Sequence, residues 1–268
     1  MIRARRISPH FSRFAITAAL LAALSGGAAR AALGQTLLEY SAEARFQLDL
    51  HVPDAALTAM LPPGFMLNVA TQGPAKDANI RVIFVDRMTI NGADGKPVGK
   101  GSSRLVYLAA PVKDASGANA QLVVGGLTDD PADVPGPFGN YLLATTHTMQ
   151  RSTNSTGTGP VIDSQDWVFQ AAGGERLELH IKYEHGVGNK GAPADVKFYS
   201  AKSPVVAQLS RQEQVLDILR NVTTNPPDRV KEFSFKGSGG SYAKLFDGTE
   251  RVLSWDNIVW INRSVLQP

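Results

Sequence analysis

Regular alternation of apolar and polar residues is the strongest pattern in this chain, and it predicts β-strands. From Arg45 to Val52 every second residue is apolar, so an extended segment would have one apolar and one polar face. Residues 177–184 alternate in the same way. Further strands are predicted over residues 80–90, 103–112, 120–127, 141–150, 166–171, 195–201, 230–235 and 242–246.

Helical patterns are short and few. Residues 53–60 predict a helix that ends at Leu61-Pro62-Pro63-Gly64-Phe65, because proline cannot continue it. Ser210 to Glu213 has the spacing of a capping box and predicts a second helix through Val222. Residues 152–160 are rich in Ser, Thr, Asn and Gly and predict a surface loop. The fold class expected is α+β and mainly β, a barrel or packed sheets with a few short helices.

The first 31 residues have the features of a signal peptide. Arg3, Arg5 and Arg6 precede the apolar run Phe14–Leu24, and Ala29-Arg30-Ala31 matches a cleavage site. The run is shorter than the roughly 20 residues that a membrane span needs. We therefore expect Sec export, cleavage near Ala31 and a periplasmic or secreted mature chain, residues 32–268, with one domain. The Arg5-Arg6 pair leaves a twin-arginine route open.

Composition and motifs exclude several function classes. The formal net charge of +3 comes from the leader arginines, so the mature chain offers no electrostatic basis for nucleic-acid binding. The absence of cysteine excludes thiol nucleophiles and cysteine-ligated metals. Residues 186–191 match G-x-G-x-x-G, but Pro193 and a strand pattern follow instead of a helix, which favours a hairpin turn. We expect no cofactor, no metal and no membrane span in the mature chain.

A few polar residues are candidates for acid–base or amine chemistry. His147 and Asp129 are candidate general acid–base groups, and Lys113 and Lys182 are candidate amines. Lys182 shares a strand face with two glutamates, which would keep it charged and unable to attack a carbonyl. The simpler interpretations are a solvated strand face for Lys182 and turn chemistry for Asp129.

The order of the predicted elements is similar to that of a known superfamily. The pattern comprises, in chain order, residues 51–57, the stretch Leu61-Pro62-Pro63-Gly64-Phe65, and residues 80–86, 103–112, 122–126, 129–139, 176–186, 195–209 and 235–252. It resembles the acetoacetate decarboxylase-like superfamily over most of residues 43–255. The resemblance implies a cone-like antiparallel β-barrel with flanking sheets and helices. It also implies a pocket lysine that forms a Schiff base with a β-keto acid.

The chain departs from that superfamily at the reacting residue. The stretch that corresponds to the lysine-bearing segment is Pro135-Gly136-Pro137-Phe138-Gly139, which contains no lysine. The pocket glutamate of the superfamily has no clear match, and Arg104 lies nearest to it. The pocket arginine is not matched residue for residue, although Arg45 lies close by. The fold is therefore expected without the Schiff-base residues.

These observations predict a barrel pocket that binds a small organic acid or carbonyl compound. The predicted ligand-binding residues are Arg45 and His51, which share a strand face, and Arg104. One alternative is a divergent decarboxylase, other lyase or hydrolase of the same fold, with His147, Asp129, Lys113 or Lys182 in its mechanism. A second alternative is a lipocalin-like carrier or envelope protein. The sequence leaves a homo-oligomer open.

Overall fold

Seven strands close into a barrel, and a second sheet continues from it. A computed structural model describes residues 35–134, 138–202, 204–205, 207–222 and 228–267. The predicted leader, residues 1–31, lies outside the described residues. The strands are β1 Thr36–His51, β2 Met66–Leu67, β3 Ile80–Gly92, β4 Ser103–Lys113, β5 Asn119–Thr128, β6 Tyr141–Asn154, β7 Ile162–Ala171, β8 Arg176–Glu184, β9 Asn189–Lys190, β10 Ala194–Ser200, β11 Ala207–Asn221, β12 Val230–Ser238 and β13 Arg251–Gln267.

The described helices are short and lie between strands. They are α1 Asp54–Thr58, α2 Tyr242–Leu245 and a 3₁₀ turn at Pro131–Asp133. The predicted mainly β class with a few short helices is confirmed. No helix among the described residues is long and apolar enough to cross a membrane.

The barrel strands follow one another in the order β5-β10-β11-β13-β1-β3-β4, and β4 pairs with β5 to close the ring. All of these pairs are antiparallel except β10 with β5. The longest ladder joins the first and last strands, from Thr36 opposite Gln267 to His51 opposite Arg251. Three register shifts along this ladder let the long strands bend around the barrel.

The second sheet covers one side of the barrel. It leaves the barrel where β6 pairs in parallel with β5, and it continues in the order β6-β7-β8-β12. Aromatic contacts join the two layers, with Phe46 packed against Tyr183 and Phe84 against Trp167. The largest apolar core therefore lies between the barrel wall and this sheet, and not inside the barrel.

Two predicted elements are wrong. The predicted helix over Ser210–Val222 is strand β11, which pairs with β13 from Leu209 to Asn221. The predicted strand over residues 242–246 contains the single helical turn α2. The predicted loop over residues 152–160 is shorter, because β6 continues to Asn154 and pairs there with β7.

Candidate functional site in the barrel lumen

The inside of the barrel is polar, and β1 shows why. Phe46, Leu48 and Leu50 point to the apolar core, so the side chains between them point into the barrel. Arg45 and Asp49 on this inner face are only 5% and 2% exposed. Arg45 and Asp49 of the polar face that the sequence predicted for β1 thus point into the lumen and are shielded from solvent.

Two neighbouring cavities occupy the lumen. We call the first the arginine chamber; its volume is about 310 Å³. Its lining residues are Leu38, Glu39, Glu43, Arg45, Val85, Arg87, Val98, Leu105, Tyr107, Ala132, Asp133, Val134, Phe138, Tyr141, Phe198, Gln208, Ser210, Arg263 and Val265. Most of the wall is apolar, and the charged residues come mainly from β1, β3 and β13.

Glu43 is the centre of the arginine chamber and is fully buried. Arg45 Nε donates to its Oε2 atom over 2.7 Å, and Arg263 Nε donates to its Oε1 atom over 2.9 Å. Ser41 Oγ donates to the same Oε1 atom. Burial alone would raise the pKa of Glu43, but the charges of Arg263, Arg45 and Arg87 and this hydrogen bond hold the pKa well below its usual range. Glu43 is therefore an ionised carboxylate that fixes two arginines.

Arg87 connects this buried centre to the rim of the chamber. Its Nη2 atom donates to Glu39, and its Nη1 atom lies 3.5 Å from Asp133 Oδ1. Arg263 Nη2 also donates to Glu39 over 3.0 Å. The three arginines thus face three carboxylates, and the cluster is formally neutral.

Tyr141 supplies a neutral hydroxyl beside these charges. Its ring lines the chamber and packs edge-on against Phe138. Its hydroxyl has no hydrogen-bond partner among the described residues. Burial and the neighbouring Tyr107 raise the pKa of Tyr141 far above its ordinary value. The hydroxyl therefore keeps its proton and offers a hydrogen-bond donor to a ligand.

We call the second cavity the aspartate chamber; its volume is about 360 Å³. Its lining residues are Arg45, Gln47, Asp49, Pro74, Ala75, Arg81, Ile83, Tyr107, Gln121, Ala192, Ala194, Val196, Phe198, Gln212, Gln214, Leu216, Ile218, Asp256 and Ile258. Arg45, Tyr107 and Phe198 line both chambers, so these three residues separate one from the other.

The structure separates the three predicted ligand-binding residues. Arg45 lines both chambers, but its guanidinium already forms an ion pair with Glu43. His51 Nδ1 lies 2.7 Å from the Asp77 carbonyl oxygen, and His51 lines neither chamber. Arg104 pairs with Asp86 and also lies outside both chambers.

The four candidate catalytic residues also lie outside both chambers. The structure does bring His147 and Asp129 together, with His147 Nε2 3.4 Å from Asp129 Oδ2 on the exposed side of β6. Lys113 is exposed at the end of β4, and Lys182 Nζ donates to Glu232 on the second sheet. None of the described residues that line either chamber is a lysine.

The stretch expected to correspond to the lysine-bearing segment is only partly described. Pro135, Gly136 and Pro137 lie outside the described residues, whereas Phe138 lines the arginine chamber. No group of three or more His, Asp or Glu side chains in the described part of the chain is arranged to hold a metal ion.

Sequence reasoning missed the residues that make the arginine chamber polar. Glu43 precedes the alternating segment by two positions and continues its polar face, so a longer strand would have included it. Arg87 ends an apolar run in β3, and Arg263 lies in the last strand, to which the sequence assigned no element. Tyr141 begins a predicted strand, and no sequence pattern marked it as a site residue.

Three solved structures share this architecture at low sequence identity. The enduracididine biosynthesis enzyme MppR, solved with the condensation product of pyruvate and imidazole 4-carboxaldehyde, has a TM-score of 0.52 and 10% identity, with 88% of each chain covered. Acetoacetate decarboxylase from Legionella pneumophila has a TM-score of 0.50 and 12% identity, with 96% of each chain covered. An acetoacetate decarboxylase-like enzyme from Sphingomonas wittichii has a TM-score of 0.51 and 11% identity, with 88% of this chain and 92% of that chain covered.

Comparison of the sequence with known families and curated proteins finds no match. At 10–12% identity, the structural likeness shows the fold and does not transfer an activity. The chain therefore has the acetoacetate decarboxylase-like fold.

Proposed function

We propose that this chain is an exported protein whose arginine chamber binds a small organic ligand through a carbonyl or carboxylate oxygen. The observation that carries the proposal is the Tyr141 hydroxyl, a donor in the chamber wall with no hydrogen-bond partner among the described residues. A donor that faces the chamber without a protein partner gains a hydrogen bond when a ligand oxygen binds there. Export rests on the signal-peptide features of residues 1–31.

The charge balance of the chamber limits the ligand. Arg45 and Arg263 both donate hydrogen bonds to Glu43. They therefore contribute positive electrostatic potential to the chamber but offer few free donors to a ligand. Arg87 is different, because its partners Glu39 and Asp133 lie at the rim, where a ligand oxygen can replace either one. A neutral carbonyl or a single carboxylate suits this formally neutral cluster better than a multiply charged anion does.

The apolar wall accommodates the body of such a ligand. The chamber wall includes four apolar side chains from different strands and loops: Val85, Leu105, Phe138 and Phe198. Burying an aliphatic chain against them contributes about 25 cal/mol per Å² of apolar surface. Short keto acids combine the polar end and the apolar body that the chamber can contact.

The proposed function excludes Schiff-base decarboxylation. That chemistry needs a neutral amine beside the ligand carbonyl. The described lining of both chambers supplies arginines and tyrosines and no lysine. Arginine stays protonated in proteins and does not replace lysine as a nucleophile. The likeness to acetoacetate decarboxylases supports the pocket, and the lining residues argue against that reaction.

Calorimetry with short keto acids tests the proposal. Acetoacetate and levulinate should bind the purified mature protein more tightly than octanoate. Tyr141→Phe should weaken levulinate binding about fivefold, the loss of one hydrogen bond. Arg87→Gln should weaken it about 10- to 100-fold, the loss of a charge-assisted contact.

Arg104→Gln is the matched control. Arg104 lies on the strand that neighbours Arg87, pairs with Asp86 and lines neither chamber, so this variant should bind like the wild type. The proposal fails if keto acids do not bind. It also fails if all three variants retain wild-type affinity.

A further inference from the structure

We infer that the aspartate chamber is a second binding site, which takes a neutral polyhydroxylated molecule such as a polyol or sugar of pentose to hexose size. The residues that line this chamber carry the site without any contribution from the arginine chamber. It holds whether or not the arginine chamber binds keto acids.

The anchor of the site is a pair of buried carboxyl groups. Asp49 on β1 and Asp256 on β13 are 2% and 6% exposed. In the β1–β13 ladder Asp49 lies opposite Ser254, and Asp256 lies opposite Gln47, so the two carboxyls are diagonal neighbours. Because both carboxyls are buried and adjacent, the charge of one disfavours ionisation of the other.

The surrounding contacts decide which carboxyl is ionised. Arg81 Nε donates to Asp49 over 3.0 Å, and the Gln47 amide donates to Asp49 as well. Among the described side chains, only the Ser254 hydroxyl donates a hydrogen bond to Asp256, over 2.6 Å. Burial and the neighbouring Asp49 charge raise the pKa of Asp256 to about 7. Asp256 therefore retains its proton up to about neutral pH, beside an Asp49 that faces the cation Arg81.

Amide groups in the same wall have unused hydrogen-bonding capacity. The Gln212 side chain is 9% exposed and donates to Ser210, but its amide oxygen accepts no hydrogen bond from a described residue. Gln214 forms no side-chain hydrogen bond with a described residue, and the buried Gln121 Oε1 atom has no partner there either. Of these groups, Gln121 Oε1 is a fully buried atom, and a buried amide oxygen without a partner is costly, so it points to a ligand or to ordered water that a ligand can displace.

The chemistry of the lining selects the class of ligand. Amides and a half-protonated carboxyl pair offer both donors and acceptors, and hydroxyl groups use both. Arg81 balances Asp49, so the chamber holds no net charge that would attract an ion. Part of the lining is apolar, and Ile83, Leu216 and Phe198 can contact the carbon skeleton of the ligand. A neutral molecule with several hydroxyls matches this combination.

The charged groups around the pair come from few elements. Arg81 on β3 and Arg45 on β1 are the cations that line the chamber, and Tyr107 on β4 is the phenol. The lining residues from β10 and β11 carry no charge. Ionisation of Asp256 removes a donor and adds an unbalanced charge, so binding should weaken as the pH rises above 7.

The test is saturation-transfer NMR and calorimetry with xylitol and myo-inositol on the mature protein. At pH 6 both probes should bind, and 1-pentanol should not compete with them. Affinity should fall at least tenfold between pH 6 and pH 8.5. Asp256→Asn should bind at both pH values with little difference, because asparagine stays neutral and still donates. Gln212→Ala should weaken binding at pH 6.

Asp166→Asn is the control for charge, because Asp166 is half exposed on the second sheet and pairs with His180. It should leave affinity and pH profile unchanged. If Asp256→Asn does not fold, the carboxyl ¹³C titration of wild-type Asp256 replaces it, and saturating xylitol should raise its midpoint. The inference is overturned if neither probe binds at pH 6. Binding that is independent of both pH and Gln212 also overturns it.

Discussion

Arg263 Nε lies 2.9 Å from Glu43 Oε1, and this contact joins the last strand to the first inside the barrel. The pair lies where β1 and β13 are hydrogen-bonded along their length. Arg45 holds the other oxygen of the same carboxylate. The arginine chamber is thus organised by an internal anion, and the arginines around it are ordered before a ligand arrives.

Replacing this anion should destabilise the fold. Glu43→Gln leaves Arg45 buried without its counter-charge and Arg263 with Glu39 alone, and breaking a buried ion pair in this way costs about 3–5 kcal/mol. Urea unfolding at pH 7 measures the change in the free energy of unfolding. Ser41→Ala is a milder comparison, with a loss of about 1 kcal/mol expected for one hydrogen bond. A Glu43→Gln variant as stable as the wild type would contradict the ion-pair role.

The same substitution should alter the dependence of stability on pH. The pKa of Glu43 is lower in the folded protein than its ordinary value of 4.5, so its ionisation stabilises the fold above about pH 5. That contribution is lost as the pH falls and the carboxylate must be protonated. The stability difference between wild type and Glu43→Gln should therefore shrink on acidification from pH 7 to pH 3.

Asp256 should show the opposite dependence. Its pKa is raised from 3.8 to about 7, first by burial and then by Asp49. Between these two pH values the folded protein keeps a proton that the unfolded chain has released, so stability falls as the pH rises. Asp256→Asn removes this penalty and should gain about 1–3 kcal/mol relative to the wild type between pH 5 and pH 8. Thermal unfolding at pH 5 and at pH 8 measures the change, with Asp94→Asn as the control, because Asp94 is exposed and its ion pair is with Lys96. If the stability difference between Asp256→Asn and the wild type is the same at pH 5 and at pH 8, Asp256 titrates normally.

Strand β1 was predicted correctly because its alternation is unbroken from Arg45 to Val52. On β1 the apolar face contacts the second sheet while the polar face lines the lumen, so the period of two is visible. On β11 the register with β13 shifts between Val215 and Leu216 and again between Ile218 and Arg220. Each shift reverses the alternation, and the apolar residues acquire helical spacing. The capping-box pattern then favoured a helix, although pairing with β13 decides the structure.

The site was harder to predict than the fold, for a related reason. Arg45 was identified because it lies within a clean alternating segment. Arg87 and Arg263 belong to strands far apart in the sequence, and only the pairing of β1 with β3 and with β13 brings them to Glu43. No local pattern distinguishes an arginine that points into a lumen from one that points to solvent. Arg104 illustrates this, since it lies on a barrel strand and pairs with Asp86 outside both chambers.

Gly126 is required for the position of Tyr141. The two residues are opposite each other in the β5–β6 pairing, and a Cβ atom at Gly126 would overlap the Tyr141 ring. Gly126→Ala should therefore displace the ring, cost about 1–3 kcal/mol of stability and weaken levulinate binding. Gly191→Ala is the matched control, because nothing lies within 4 Å of its added Cβ atom. Full affinity in Gly126→Ala would show that Tyr141 does not set the binding site.

Borohydride reduction in the presence of acetoacetate distinguishes this protein from a Schiff-base enzyme. A lysine that attacks the carbonyl is trapped by reduction as a stable adduct, and intact mass spectrometry detects it. We expect no adduct above the level in a denatured sample, because the described chamber linings contain no lysine. Lys113→Ala and Lys182→Ala should likewise leave keto-acid binding unchanged, since Lys113 is exposed and Lys182 contacts Glu232 on the second sheet. A stoichiometric adduct that one of these variants abolishes would identify the nucleophile. It would also place a reactive amine beside the ligand and restore decarboxylation as the function.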